Sequence, residues 1–407
     1  VARTLLSHTT PSTAFRGFGV PQITWARESN IDEGALALGI DRLQIRLHNL
    51  AELDEAFIPG ERADGDWAQT VQLAAKEIGW DSPLPEGHGR GLAIGFKSGP
   101  TTALSYSMVR LLSDSSALVY AGTSDMGQGA RTVFAQIAAQ ELGLPLDRIS
   151  VVMGDTAIVP YDQQTSASRS SVIMGTAVLR ACQDLQGQLQ AMAARTYDLD
   201  ESEITIEGGV VRLPDAEHSV LEVLETGFDR LGGELTGHGE MRKEGDPDHP
   251  LGGDAAFFEF NCTAVEVDVD RETGEIVLVR YVTVSDVGRA LNPLQVAGQD
   301  EGAAVMGIGH TIMEHIILDE SGRIRNLGAI DYRIPTSMDL PRQMHSESVE
   351  NADGPGPYGV KGVSEASVLA AAPAIAAAVR QAVGVVINDL PLTPQRVWEA
   401  LMEKKRP

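Results

Sequence analysis

From Gly89 to the C-terminus the sequence is built of short strand pairs closed by turns, with single helical stretches between them and no sustained strand–helix alternation. Tyr106 to Leu112 and Ala117 to Ala121 flank the turn Ser113-Asp114-Ser115-Ser116, and Ile204 to Ile206 and Val210 to Leu213 flank Gly208-Gly209. The clearest pair is Thr263 to Val269 with Glu275 to Val284. Here Val265, Val267 and Val269 alternate with Glu266 and Asp268, which predicts one dry face and one wet face. Helices are expected over 131–142, stopped by Gly143 and Pro145, over 171–197, over 293–313, and over 374–383 with Pro373 near the start. This order argues against a doubly wound parallel sheet. It predicts an α+β fold with mixed or antiparallel sheets, hairpins and packed helices.

Ahead of Gly89, apolar residues recur at helical spacing over 23–38 and 41–50, and Asp41 with Gln44 suits a capping box after the break at Gly39. Residues 58–88 mix Pro, Gly and charge around one amphipathic stretch, Trp67 to Ile78, and form the best candidate linker. The expected units are therefore 1–57, a linker over 58–88, and 89–407.

Composition narrows the function. The 407 residues carry 57 acidic and 32 basic side chains, a net charge of −25, which repels phosphate backbones and anionic lipid heads and argues against nucleic-acid and membrane partners. Cys182 and Cys262 alone cannot supply a four-thiolate iron–sulfur site, a structural zinc site or a disulfide framework. The longest apolar stretch, Val368 to Val379, falls short of the ~20 residues a spanning helix needs. The first residues lack a secretory apolar core, so a cytoplasmic location is expected. Without an initiator methionine, the chain is expected to be processed or one piece of a longer ancestor.

Four glycine-rich or polar loops precede helices and are the candidates for chemistry. In Asp125-Met126-Gly127-Gln128-Gly129 the glycines let the backbone approach a ligand while the Gln128 amide offers donor and acceptor; on pattern alone a plain strand-to-helix turn is the more common reading. Thr165-Ser166-Ala167-Ser168-Arg169-Ser170-Ser171 sets hydroxyls and a guanidinium before a helix N-terminus, which suits a phosphate, or an over-supplied N-cap. Arg16 stands between Phe15 and Phe18 in a glycine turn, where it can fork onto a planar ligand or tie the loop down. Glu365 ends Gly359-Val360-Lys361-Gly362-Val363-Ser364-Glu365. Held beside an apolar wall it would serve as a general base; at a helix start it also satisfies the dipole.

Other chemistries find no support. His310, Glu314 and His315 miss the H-x-x-E-H zinc spacing by one residue, and the two rings then face different sides of a helix. No G-x-S-x-G elbow, P-loop or complete G-x-G-x-x-G occurs, and neither cysteine has an evident activating histidine.

Taken in order, these loops resemble the large subunit of the molybdenum hydroxylases, the xanthine dehydrogenase and aldehyde oxidase family. The resemblance rests on Thr13 to Gly19 with Pro21-Gln22, Asp125 to Gly129, Gly154-Asp155-Thr156, Thr165 to Ser171, Asp286-Val287-Gly288-Arg289 with Asn292-Pro293, Gly298-Gln299 with Glu301-Gly302, and Gly359 to Glu365, and so spans nearly the whole chain. It implies a molybdopterin cofactor, in its cytosine dinucleotide form, whose dithiolene holds molybdenum without a protein ligand to the metal. Gly127, Gln128, Gly129, Thr165, Ser166, Ala167, Ser168, Arg169, Ser170, Ser171 and Gln299 match cofactor-binding positions. Glu365 matches the general base, Arg16 the arginine that orients substrate and stabilises charge on it, and Phe96 a phenylalanine that packs on the substrate ring.

By the same resemblance, residues 1–57 are the end of a first cofactor-binding domain and 89–407 a second. The implied reaction is hydroxylation of an electron-poor carbon in an N-heteroaromatic ring, with water as the oxygen source. Aldehyde oxidation is the alternative within the same mechanism, and a non-catalytic assembly chain the alternative outside it. Family large subunits carry several hundred residues before the Arg16 loop. The expected partners are a separate chain bearing that first half, a [2Fe-2S] subunit and an FAD subunit, assembled as a dimer of the complex. Two departures stand out: Ser364 replaces the usual glycine before the base, and Lys97 follows Phe96 where purine enzymes have threonine. Gly17 stands where carbon monoxide dehydrogenases have a cysteine within the arginine loop, which argues against that activity.

Overall fold

The computed structural model describes residues 14–229, 232–250, 253–363 and 365–404. Its first organising contact is a strand whose one face is nearly bare, built of Gly89, Gly91, Ala93 and Gly95 before Lys97. In β3 (His88–Ser98) Gly91 and Gly95 sit where a methyl group would run into the backbone of α8 (Glu365–Val383) at Ala374 and Ala366. An alanine-rich helix can therefore lie directly on the strand, and α8 buries almost its whole length. It is long and apolar enough for a short membrane span, but it is a core helix.

β3 is the edge of a four-stranded sheet ordered β13 (Gln343–Val349), β12 (Ile276–Asp286), β11 (Phe258–Val269), β3. The β12–β13 pair is parallel and the others antiparallel. The opposite face packs on α3 (Trp67–Ile78), through Trp67, Val71, Ala74 and Ile78. A second sheet, ordered β10 (Glu234–Lys243), β4 (Ala103–Leu112), β5 (Ala117–Ala121), β6 (Ile149–Met153), repeats the device. There a methyl group at Gly239 would strike the backbone of α5 (Gly175–Tyr197) at Ala177. α4 (Ala130–Leu142) completes that core. Smaller units are the β1–β2 pair (Ala56–Ile58, Glu61–Arg62) and a three-stranded sheet of β7 (Thr205–Glu207), β8 (Val210–Arg212) and β9 (Glu217–Ser219), which leads into α6 (Val220–Gly227). α7 (Pro293–Ile312) and α9 (Pro394–Lys404) flank α8 and its sheet. The mixed α+β architecture is the expected one.

Three local expectations change. The helix placed at 374–383 begins nine residues earlier, at Glu365, with Pro373 inside it; a proline rule for helix starts missed a helix held by its surroundings. The wet face assigned to Glu266 is dry, because α3 packs over that face of β11. Glu266 is 6% exposed, 2.8 Å from His88 Nδ1 and accepting Arg90 Nε–H at 3.0 Å. Residues 58–88 carry α3, which is part of the core rather than a solvent-exposed connection.

The N-terminal helices hold one functional loop in place. α1 (Val20–Leu38) and α2 (Arg42–Asn49) are joined by buried Arg46, which bonds Glu28 at 2.9 Å and Asp32 at 2.7 Å. Glu28 also accepts the Ile94 N–H of β3 at 2.9 Å, so α1 and the turn before it are fixed to the sheet.

Candidate active site

Glu365 is the first residue of α8, and a carboxylate from the adjoining sheet sets it there. Glu259, on β11 and 1% exposed, accepts the backbone N–H groups of Glu365 at 3.0 Å and Ala366 at 3.4 Å. It does from another element what an N-cap residue does within its own helix. The approach to α8 is anchored by Lys361, whose fully buried Nζ lies 2.8 Å from Asp286 and 3.0 Å from Asp353 and donates to the Asp64 carbonyl at 2.5 Å. Burial pushes the Asp64 carboxyl up to about 6, against the pull of Lys361. Ser364 lies outside the described residues.

The side chain of Glu365 is ringed by donors rather than set against the expected apolar wall. Oε1 accepts the Gly17 N–H at 3.1 Å; Oε2 accepts the Ser168 hydroxyl at 2.9 Å and lies 3.0 Å from Lys97 Nζ. Gly17 makes its bond from the left-handed region, φ +95°, at the start of the turn that leads into α1. The residue before it, Arg16, donates from Nη2 to Gln299 Oε1 on α7 at 2.6 Å. Burial lowers the Arg16 guanidinium from its ordinary value, opposed by Glu259, Glu365 and Asp300. Asp300, enclosed beside Gln299, accepts the Ser367 hydroxyl at 2.5 Å and is pushed up to about 6, chiefly by burial.

The two remaining loops meet the same group. Thr165 donates its hydroxyl to the Ser124 carbonyl at 3.0 Å, tying the serine loop to the Asp125–Gly129 loop. Gly129 packs against the Gln295 carboxamide of α7, whose Oε1 is buried with no hydrogen-bond partner among the described residues. Gln295 lies one helical turn before Gln299. Contacts and short stretches of chain together close a ring: Gly129, Gln295, Gln299, Arg16, Gly17, Glu365, Ser168, Thr165 and back through Ser124.

Within this ring the candidate residues differ in what they offer. The Gln128 amide is folded onto its own loop, donating to Ser124 O at 2.9 Å and accepting Met126 N–H at 2.6 Å. Gly127, at φ +104°, faces open space. Ala167 and Ser168 are both left-handed, φ +51° and +50°, and Ser170 and Ser171 open the π-helical turn Ser170–Met174 that runs into α5. Arg169 points inward, contrary to expectation. It is 3% exposed and donates to Asp162 at 2.9 Å, Gln164 O at 2.6 Å, Leu104 O at 2.9 Å and Ser105 at 2.6 Å. Its charge is spent on buried Asp162, so the loop presents hydroxyls and backbone, not a guanidinium.

Phe96 does not join the ring. Successive side chains on a strand face opposite ways, and it is Lys97 that faces Glu365. Phe96 enters an aromatic cluster, stacked on Phe258 with centroids 5.1 Å apart and edge-on to Trp67 at 5.2 Å. The sequence reading missed Glu259 and Asp300, and noted Lys97 only as a departure. The available signal was a lone carboxylate in the apolar run Ala255-Ala256-Phe257-Phe258-Glu259-Phe260, and a lone cation closing Gly91-Leu92-Ala93-Ile94-Gly95-Phe96-Lys97.

Models of the molybdopterin cofactor-binding domain match residues 67–341 and 1–50. The chain is 33% identical to a putative xanthine dehydrogenase molybdenum-binding subunit of Escherichia coli (strain K12), over 95% of this chain and 53% of that protein. It is 28% identical to the nicotine 6-hydroxylase large subunit of Paenarthrobacter nicotinovorans, over 96% and 51%. The crystal structure of quinoline 2-oxidoreductase from Pseudomonas putida 86 superposes with a TM-score of 0.85 at 26% identity, over 97% of this chain and 53% of that one. The chain thus spans about half the length of the relatives it matches.

Proposed function

The chain belongs to the molybdopterin cofactor-binding domain family of the molybdenum hydroxylases, and from that we propose that it is the part of a hydroxylase large subunit that carries the base and one side of the cofactor site. The observation that carries this reading is the closed ring joining Gly129, Gln299, Arg16, Glu365 and Ser168. Four loops that lie apart in the sequence, from Arg16 to Glu365, meet at one place.

The residues fit the cofactor. An orphaned buried amide oxygen on Gln295, an open left-handed Gly127 and the hydroxyls of Ser166, Ser168, Ser170 and Ser171 suit a polar, phosphate-bearing pterin better than an apolar ligand. We assign its hold to the Gly127–Gly129 and Thr165–Ser171 loops with Gln299, and its form to the cytosine dinucleotide. When bound, that group would supply the two-electron redox centre, with no protein ligand to the molybdenum. Glu365 accepts the proton released in hydroxylation, and Arg16 orients the substrate and offsets charge that builds on it. Gly17, Ser168 and Lys97 fix the direction in which Glu365 points.

The substrate class assigned is an electron-poor N-heteroaromatic ring, supported by the nicotine and quinoline enzymes among the relatives. [2Fe-2S] and FAD subunits carry the electrons away, and the complex forms a dimer. Both cysteines are buried free thiols, in keeping with a cytoplasmic location. Purifying the complex, measuring its molybdenum and identifying the nucleotide by mass spectrometry tests the cofactor assignment. Oxidation of aldehydes but not of purines, pyridines or quinolines would reverse the substrate assignment.

A further inference from the structure

Lys97 of β3 stands directly opposite Glu259 of β11 in the strand ladder, and the two residues are only 8% and 1% exposed. Lys97 Nζ is 3.0 Å from Glu365 Oε2 but 3.9 Å from Glu259 Oε1, and it donates to Ser98 O at 3.2 Å. Both oxygens of Glu365 accept from donors. Glu259 is lopsided: Oε2 takes two backbone N–H groups, while Oε1 is buried with no hydrogen-bond partner among the described residues. The only ammonium close to Glu259 among the described residues sits nearer to Glu365, the Arg16 guanidinium is shared with Glu365 and Asp300 as well, and an uncompensated buried charge costs more than a buried neutral carboxyl.

We infer that Lys97 and Glu259 are a matched pair that positions the base: Glu259 is the neutral carboxyl, which leaves Lys97 to pair with Glu365. The inference rests on reading Glu365 as the base, and makes Lys97 and Glu259 positioning residues for it. Other groups face the cluster. Arg16 from the glycine turn adds positive charge, Asp300 from α7 faces Arg16, and Ser168 contributes a neutral hydroxyl. Glu259 is pushed up to about 7, first by burial and then by the charge of Glu365, with Lys97 opposing. As pH rises through that value Glu259 ionises, Lys97 becomes shared, and its hold on Glu365 weakens. Pairs of carboxyls driven apart in this way divide acid and base roles between them.

Infrared difference spectroscopy of the purified enzyme tests this without turnover. Wild type is expected to show the carbonyl stretch of a buried protonated carboxyl that disappears as pH is raised through about 7, and Glu259→Gln to lack it. In Lys97→Met the band should persist to higher pH, and in Glu365→Gln it should vanish at lower pH, since the neighbouring charge is gone. Lys97→Met should also lower kcat more than it raises KM, because the base loses the group that fixes its direction. A wild-type spectrum with no such band, or one unchanged in Glu259→Gln, overturns the pair, and those two proteins decide the matter even if Lys97→Met does not fold. Retained turnover in Glu365→Gln would instead remove the base reading, which the infrared result does not touch.

Discussion

Gly17 and Glu365, 348 positions apart, are joined by a hydrogen bond of 3.1 Å from the glycine N–H to the carboxylate. The bond requires a backbone that β-carbons disfavour, φ +95°, and a side chain at position 17 would lie 2.6 Å from Leu369 on the first turn of α8. Gly17→Ala is therefore expected to cost about 1–3 kcal/mol through strain and displacement of that turn. Thermal melts should show the loss of stability, and steady-state kinetics a fall in kcat that exceeds any rise in KM.

Arg16 presents a planar fork to Gln299 from a half-buried position. Lysine keeps the charge but not the fork. Arg16→Lys should lower kcat/KM by about 10²-fold with unchanged molybdenum content, measured on the same preparation by elemental analysis.

Lys361 is enclosed with Asp286, Asp353 and Asp64 around it. Removing this cation leaves the buried Asp286 without its counter-charge, so Lys361→Met should destabilise the enzyme by about 3–5 kcal/mol. Because Lys361 anchors the segment that delivers Glu365, activity should fall at temperatures where wild type is still folded. Denaturant melts and residual activity measured in parallel separate the two effects.

Asp300 is raised from an ordinary 3.8 to about 6, first by burial and against its bond from Ser367. The folded state then holds a proton that the unfolded chain has already lost, so this group's contribution to stability is greatest below its ordinary value and falls as pH rises from about 4 through 6. Asp300→Asn should abolish that contribution. Melting temperatures across this range should fall less steeply with pH in the variant than in wild type.

Much of this was legible in the sequence because the loops announce themselves chemically. Gly17, Gly127 and Gly129 mark bends that only glycine adopts freely, and all three are left-handed. Hydroxyls before α5 and the single carboxylate opening an alanine-rich helix named Ser168 and Glu365, which the fold brings into contact. What stayed hidden depends on contacts between elements. The start of α8 is fixed by Glu259 from a strand about a hundred residues away, which no local helix signal encodes. Arg169 looks like an anion ligand until buried Asp162 is known to claim it. Phe96 and Lys97 are neighbours in sequence, but strand geometry sends one to the aromatic core and the other to the base.

The central claim is that these loops converge on a molybdenum cofactor with Glu365 as the proton acceptor. Glu365→Gln in the assembled enzyme, assayed for heterocycle hydroxylation and molybdenum content together, tests it most directly. The account predicts a loss of kcat of about 10²-fold or more with molybdenum retained. Wild-type turnover in that variant, or an intact native complex without molybdenum, would contradict it.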